Sequence, residues 1–289
     1  MTALSFYEYT TQVQQKFIES ISLYRTFTKD KDKKEKKIMK ILNNLSFDKL
    51  KDFLTSELKN NPPLRNHFTI YFSGKSSKGK SLNRYKKEIN LSYREISDLD
   101  GYIEYGTEVD FSYIRDLANR YTDAGNFLEA ATIYQALSEV IAENMEGVDD
   151  SDGYYGDEFC LAIEDFVNCI NEAELGHIKK KKYIDYFFSK YIENDPDYFR
   201  ENYDGALSEI CLSKDDLEYW KKQLKPYLPK NLPDSEQWNE YYQAKELLLT
   251  QLYLLDSLNH EKEFYELVKK YWHQEEEFCL SYIERLEKD

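Results

Sequence analysis

Residues 111–137 read FSYIRDLANRYTDAGNFLEAATIYQAL, and this stretch decides the fold. Apolar residues recur at helical spacing on both sides of a turn, DAGN, at residues 123–126. The apolar positions are Phe111, Ile114, Leu117, Ala118 and Tyr121 before the turn, and Phe127, Ala130, Ala131, Tyr134 and Leu137 after it. Spacings of three and four residues place such side chains on one face of an α-helix. The stretch therefore predicts two helices that pack face to face as a hairpin.

The same hairpin resembles a tetratricopeptide repeat. The positions that fit the repeat pattern are Leu117, Ala118, Tyr121, Gly125, Phe127, Ala130 and Tyr134. Small residues let two helices approach closely, and the aromatic rings fill the space above them. Two positions depart from the pattern, because Leu137 stands where a small residue is usual and Ala142 where a proline often closes the unit.

Helical composition extends through the whole chain. No proline lies between residues 64 and 195, and proline is the residue that most often ends a helix. Leu, Glu, Lys and Tyr are abundant, while the alternation typical of strands is nearly absent. We therefore predict an all-α protein, either a TPR-like α-solenoid or an irregular array of antiparallel helix pairs.

Breaks in the pattern divide the chain into five segments. They are a basic N-terminal helical block at 1–73, a Gly/Ser/Lys linker at 74–83, a TPR-like core at 84–225, a proline-rich linker at 226–236 and a C-terminal helical pair at 237–289. The helices predicted after the hairpin span 157–174, 178–193, 197–211, 214–224, 238–258 and 261–285. In the N-terminal block, Ser46 is expected to cap a helix whose apolar face holds Phe47, Leu50, Leu54 and Leu58.

An acidic turn follows the hairpin, in the stretch EGVDDSDGYYGDEF at residues 146–159. Its defining residues are Asp149, Asp150, Asp152, Gly153 and Gly156. Aligned as an EF-hand, the stretch lacks an acid at the first position and a glutamate at the twelfth. We interpret the glycines as turn residues and Asp157 as the cap of a helix that begins at Glu158, with a weak cation contact at the three aspartates as the alternative.

The stretch from Glu108 to Phe166, with its DDSDGYYG turn, resembles the helical region of prokaryotic SWIM zinc-finger proteins. SFDKLKDFLTSELKNNPPLRNHF, at residues 46–68, is similar to the helix that precedes that region. The zinc module itself, with its C-x-C and C-x-H pairs, is absent from this sequence. The resemblance implies a helical scaffold without the zinc site.

Charge is divided unevenly along the chain. The net charge is −15, yet residues 1–90 hold 19 Lys and Arg against 9 Asp and Glu. A basic segment attracts phosphates or acidic proteins, whereas an acidic body repels nucleic acid. The candidate phosphate contacts are Lys75, Lys78, Lys80, Arg84, Lys86 and Lys87. The alternative is a solvated linker and first helical turn with no specific ligand.

Residues 74–81, GKSSKGKS, match the P-loop pattern, in which Lys80 and Ser81 would contact phosphate and Mg²⁺. A P-loop needs a buried parallel strand before it and a helix after it. The sequence offers one strand-like segment at residues 67–72 and no partners for it. A Walker B-like segment, LYLLD at 252–256, lies within a helical pattern. We therefore prefer a linker, and a nucleotide hydrolase is the weakest alternative.

No catalytic, cofactor or metal site is predicted. The sequence contains no G-x-S-x-G and no H-E-x-x-H motif, and its four cysteines and four histidines show no ligand spacing. Scattered cysteines are typical of reduced thiols in the cytosol. With no signal peptide and no long apolar run, we expect a cytoplasmic protein without a membrane segment.

Tyrosine is unusually frequent, with 26 residues in the chain. Most should pack at helix interfaces, and a minority would remain free for a partner because tyrosine offers contact area at low entropic cost. We therefore predict a non-enzymatic adaptor that binds another protein through an acidic, tyrosine-rich surface. The alternative is a factor associated with nucleic acid through the basic segment.

Overall fold

The computed structural model describes residues 36–37, 40–41, 43–60, 65, 68, 81–193, 199–234 and 236–288. Within these ranges the chain forms eleven α-helices and two short 3₁₀ helices, and it contains no strand. Contacts divide the chain into two compact units, Met1–Phe68 and Thr69–Asp289. The prediction of an all-α helical array is confirmed.

The helices follow one another with short connections. They are α1 (Phe47–Asn60), α2 (Ser81–Ile96), α3 (Ser112–Asp123), α4 (Phe127–Asn144), α5 (Tyr154–Glu172), α6 (His177–Glu193), α7 (Arg200–Ile210), α8 (Lys214–Leu224), α9 (Trp238–Ser257), α10 (Glu261–Tyr271) and α11 (Glu276–Lys288). The 3₁₀ helices are Met145–Gly147 and Lys225–Tyr227. Since α2 begins at Ser81, the end of the predicted 74–83 linker is helical.

In the first unit, α1 ends at Asn60, directly before the predicted stop at the paired prolines. Leu50, Leu54 and Leu58 are half-buried, as expected for an apolar face. Phe47 departs from that expectation, because 78% of it is exposed. It is the first residue of the helix, so it lies at the edge of the face.

The predicted hairpin corresponds to α3 and α4, joined by residues 124–126. Gly125 has a φ of +72°, which a glycine adopts without the steric cost of a side chain. Its N–H donates to the Thr122 carbonyl over 2.9 Å, and the Asn126 N–H donates to the Tyr121 carbonyl over 2.7 Å. These bonds satisfy carbonyls at the end of α3 and reverse the chain into α4.

The main hydrophobic core of the second unit fills the space between α2 and α8. Its buried side chains extend from Tyr85 to Leu224 and include one residue of α9, Leu254. In α4 nearly every apolar residue is buried, because this helix packs against α2, α3 and α5. A helix that is apolar around most of its circumference lies at the centre of such an array. α4 is therefore the central helix of the core.

The helix after the acidic turn begins earlier than the sequence predicts. α5 starts at Tyr154 rather than Glu158, after Gly153 in a left-handed conformation with φ +79°. The N-cap residue is Gly153, and the carboxylate that accepts from N–H groups of the first turn belongs to Asp150 rather than Asp157. Its Oδ1 accepts from the Tyr155 N–H at 2.7 Å, and its Oδ2 accepts from the Gly156 N–H at 3.0 Å.

The C-terminal segment contains three helices rather than the predicted pair. The pattern at 261–285 is divided into α10 and α11 by a turn at residues 272–275. A second hydrophobic core joins these helices to α9, through Leu248, Leu252 and Leu255 of α9, Phe264, Val268 and Tyr271 of α10, and Phe278 of α11. Tyr271 and Phe278 contact each other across the turn, with ring centroids 5.5 Å apart.

The proline-rich segment packs against both hydrophobic cores. Leu228 lies against the main core and Leu232 against the second one. The ring of Tyr227 meets the ring of Phe188 edge to face, with centroids 5.7 Å apart. The segment predicted as a linker at 226–236 is therefore held by side-chain contacts in the part that the structure describes.

Candidate functional site: a charged groove

A groove of about 800 Å³ opens in the second unit between α2, α4, α6 and α7. Its lining consists of Lys86, Glu139, Ala142, Glu143, Met145, Glu146, Lys190, Glu193 and Tyr203. Positions 139, 142, 143 and 146 follow the helical spacing of three and four residues, so one stripe along α4 and the turn after it forms the wall of the groove. Four carboxylates face two ammonium groups, so the lining is acidic overall.

Lys86 of α2 reaches across to the wall formed by α4. Its Nζ lies 2.9 Å from Glu139 Oε2 and 2.5 Å from Glu143 Oε1. Burial lowers the pKa of Lys86, but the bonds to the two glutamates outweigh burial and leave the pKa above its ordinary value. The other oxygen of Glu139 accepts from Gln135 Nε2 at 2.9 Å. Both carboxylate oxygens of Glu139 therefore have a partner, whereas Glu143 can accept a further hydrogen bond.

Two tyrosines lie beside Glu139. Burial raises the pKa of Tyr203, and the charges of Glu139 and Glu193 raise it further. Burial also raises the pKa of Tyr186, with the charge of Glu139 as the next cause. The hydroxyl oxygen of Tyr186 is buried and has no hydrogen-bond partner among the residues that the structure describes. Both phenols therefore stay protonated, and Tyr203 is almost fully buried beneath the groove.

The outer part of the groove is more exposed. Lys190 Nζ lies 2.8 Å from Glu193 Oε2, three residues further along α6. Glu193, Glu143 and Glu146 are exposed. An ion pair of this exposed kind contributes about 0 to 1 kcal/mol, so a competing cation can replace the lysine at little cost.

The groove suits a positively charged ligand. Its carboxylates attract positive charge, and the partly buried side chains of Ala142 and Met145 add apolar surface to the lining. Within the described ranges, no group of three or more His, Cys, Asp or Glu residues is placed to hold a metal ion. The lining is therefore acidic, with two apolar side chains among the charged ones.

The six residues predicted to contact phosphate differ in where the structure places them. Lys75, Lys78 and Lys80 lie outside the described residues. Arg84 and Lys87 lie on α2, beside the carboxylate of Glu88. Lys86 is held by the two glutamates of α4, so its charge is used within the chain. The sequence did not indicate this pairing because the partners lie 53 and 57 residues away.

The residues that define the repeat pattern lie in the turn of the hairpin or in contact with the main core. Leu117, Ala118, Ala130 and Tyr134 are buried in the main core, and Tyr121 and Phe127 pack against it. The Tyr134 hydroxyl donates to Asn119 Oδ1 at 3.0 Å, which ties α4 to α3. These residues hold the scaffold and do not line the groove.

The acidic turn uses its carboxylates within the chain. Asp150 caps α5, Asp149 accepts from the Ser151 N–H at 3.1 Å, and Asp152 accepts from the Tyr154 N–H at 3.2 Å. Gly156 gives the chain room here, because a Cβ at this position would lie 3.3 Å from Asp150 Oδ2. These bonds account for the pattern of the turn as a helix cap.

The P-loop motif lies mostly outside the described residues, which resume at Ser81 as the first residue of α2. The Walker B-like segment at 252–256 is part of α9, and Asp256 accepts from Arg285 Nη1 at 2.5 Å. The helical interpretation of that segment is therefore correct.

The groove itself was not predicted. Acidic residues on helices that also carry lysines are usually solvated, and the sequence gives no sign that Glu139 and Glu193 face a common space. No helix of the described ranges is both long and apolar enough to cross a membrane. Comparisons with protein-family models, curated proteins and solved structures found no match.

Proposed function

We propose that this protein is a non-enzymatic cytoplasmic adaptor whose helical array binds a positively charged segment of another protein in the groove. The observation that carries the proposal is the acidic lining at a concave site, where Glu143, Glu146 and Glu193 surround Tyr203. Concave sites are the usual ligand sites of proteins, and in this one charged residues predominate. A helical array supplies such a site without chemistry of its own, as expected of a TPR-like scaffold.

The ion pairs of the groove support a peptide rather than a small anion as the ligand. Lys86 is held by two glutamates, and Lys190 by one. An entering Arg or Lys side chain would compete with Lys190 for Glu193 and add to the pairing of Glu143. An anion would meet the excess of carboxylates and be repelled.

The test is affinity purification of the tagged chain from its native cell extract, with mass spectrometry of what is retained. Glu146→Lys together with Glu193→Lys reverses two exposed charges of the groove. We expect this variant to lose a stoichiometric partner that the wild-type chain retains, because like charges then face the cationic segment.

Glu164→Lys together with Glu209→Lys is the matched control. Both residues are exposed, neither lines the groove, and the net charge changes by the same amount. If both double variants lose the partner equally, overall charge rather than the groove governs binding, and the proposal is wrong. Nuclease treatment in parallel tests the nucleic-acid alternative, which requires partners that disappear with the nucleic acid.

A further inference from the structure

An exposed pair of aromatic rings lies at the start of α9. The side chain of Trp238 is 69% exposed and that of Tyr242 is 41% exposed. They stand one helical turn apart with nearly parallel rings, their centroids 6.3 Å apart and their planes at 21°. Large exposed aromatic residues in contact with each other are a frequent mark of an interaction surface.

Two carboxylates lie near Tyr242. Glu246 follows one turn after Tyr242 on α9, and Glu201 approaches from α7. The negative charge of Glu246 is the main cause of a raised pKa of Tyr242, and Glu201 contributes after burial. Both carboxylates therefore act on the rings at close range.

Two positive charges, Arg200 and Lys245, lie nearby and act on Tyr242 and Glu246, but both groups also have other partners. Lys245 Nζ lies 2.8 Å from Glu275 and 2.6 Å from Glu277. Arg200 is only 8% exposed, and its guanidinium carbon lies 4.7 Å from the centre of the Tyr191 ring. The surface made by Trp238, Tyr242, Glu246 and Glu201, which we name the α9 aromatic patch, is thus negative and aromatic.

We propose that the α9 aromatic patch binds an arginine-bearing segment of a protein partner. A guanidinium stacks on the face of Trp or Tyr and forms paired hydrogen bonds with a carboxylate, and this patch offers both. A second copy of the same patch is a poor occupant, because its carboxylates would face Glu246 and Glu201. In an extended segment, alternate residues lie roughly 6.6 Å apart, which matches the separation of the two rings.

The test uses a fluorescein-labelled peptide of six Gly-Arg repeats and the full-length protein at physiological salt, with binding measured by anisotropy. Trp238→Ala and Tyr242→Ala should each weaken binding about two- to fivefold, the effect of one exposed cation–π contact. Glu246→Gln should weaken it too. The matched control is Trp272→Ala, since Trp272 is also exposed, at 52%, and lies at the end of α10. It should leave binding unchanged.

A Gly-Lys peptide of equal length separates stacking from charge. We expect it to bind more weakly than the arginine peptide, with the difference lost in the Trp238→Ala, Tyr242→Ala double variant. In an NMR titration of the wild-type protein, the Trp238 indole resonance should shift and that of Trp272 should not. Equal binding of both peptides, or equal effects of the Trp238 and Trp272 variants, would overturn the proposal.

The patch and the groove are tested separately. Neither charge-reversed double variant described above changes the patch, so Trp238→Ala should weaken binding of the arginine peptide by the same factor in both backgrounds. If the groove variant alone abolishes peptide binding, the peptide occupies the groove and the patch proposal is wrong. If the groove variant loses the cellular partner but still binds the peptide, the result supports the proposed function and leaves the patch proposal unchanged.

Discussion

Gly125 and Asn259 occupy equivalent positions in two turns that have the same backbone geometry. Their φ angles are +72° and +55°, and each follows the end of a long helix. The next residue donates to the carbonyl five positions back in both turns, from Asn126 to Tyr121 at 2.7 Å and from His260 to Leu255 at 2.8 Å. DAGNFLEAATIY at residues 123–134 and LNHEKEFYELVKKY at residues 258–271 therefore form the same kind of turn, with asparagine in place of glycine in the second.

This equivalence predicts opposite effects of substitution at the two turns. Gly125→Ala should lower the free energy of unfolding by about 1 to 2 kcal/mol, because a side chain is strained at positive φ. Asn259→Gly should raise it by up to about 1 kcal/mol. Urea unfolding measures both. Gly205→Ala is the control, since Gly205 lies inside α7 with open space around it and should gain about 1 kcal/mol.

Asp216 holds the start of α6 to α8 through a buried charge cluster. Its Oδ1 lies 2.7 Å from His177 Nδ1 and its Oδ2 lies 3.3 Å from Lys180 Nζ. It also completes a capping box with Ser213 at the start of α8. Burial raises the pKa of Asp216, but the bonds from His177, Ser213 and Lys180 outweigh burial and lower it overall.

Asp216→Ala should destabilise the protein by about 3 to 5 kcal/mol, because it leaves the buried ammonium of Lys180 without its counter-charge. Asp215→Ala changes the exposed neighbouring aspartate and should cost far less. Because the pKa of Asp216 is lowered, its contribution is present above the ordinary pKa of a carboxyl and is lost in acid. Similar urea midpoints for the two variants would contradict the assignment.

Asp204 of α7 contacts α9, where its Oδ1 accepts from Thr250 Oγ1 at 3.3 Å. Burial raises the pKa of Asp204 to about 6, with the charges of Arg200, Glu246 and Glu201 acting beside it. Because of the raised pKa, Asp204 stays protonated to a higher pH in the folded state than in the unfolded chain. The contribution of Asp204 to stability should be fully present below pH 4 and should be lost as the pH rises through 6.

Asp204→Asn should remove this dependence. The variant should be more stable than the wild-type protein by roughly 2 to 3 kcal/mol at pH 7.5, and the difference should vanish near pH 4. Urea unfolding at a series of pH values measures it. Glu209→Gln, at an exposed position of the same helix, should keep the slope of the wild-type protein. An equal slope in Asp204→Asn would show that this carboxyl does not titrate near pH 6.

Asp150→Ala should destabilise the protein by about 1 to 2 kcal/mol, because two N–H groups at the start of α5 lose their acceptors. Asp157→Ala should cost less than about 1 kcal/mol, since Asp157 is exposed in the first turn and interacts only with the helix dipole. Thermal unfolding distinguishes the two. A larger loss of stability in Asp157→Ala than in Asp150→Ala would show that Asp157 caps α5, as the sequence predicted.

The sequence predicted helix boundaries well where capping or turn residues lie directly at the end of the helix. α8 spans the predicted residues 214–224, because Ser213 and Asp216 form a capping box within four residues. The hairpin of α3 and α4 was predicted for the same reason, from its periodicity and Gly125. The division of 261–285 was missed, because no glycine or proline marks the turn and its contacts come from elsewhere. Lys245, for example, binds Glu275 and Glu277 from α9.

The sequence by itself determined the fold class and the helix hairpin, because helical periodicity and capping depend on residues only a few positions apart. Tertiary structure alone decided the groove, the pairing of Lys86 with Glu139 and Glu143, and the position of Glu201 beside Tyr242. These features join side chains that lie tens of residues apart. Whether a charged side chain meets solvent, a ligand or another side chain depends on how the helices pack, and no local pattern contains that information.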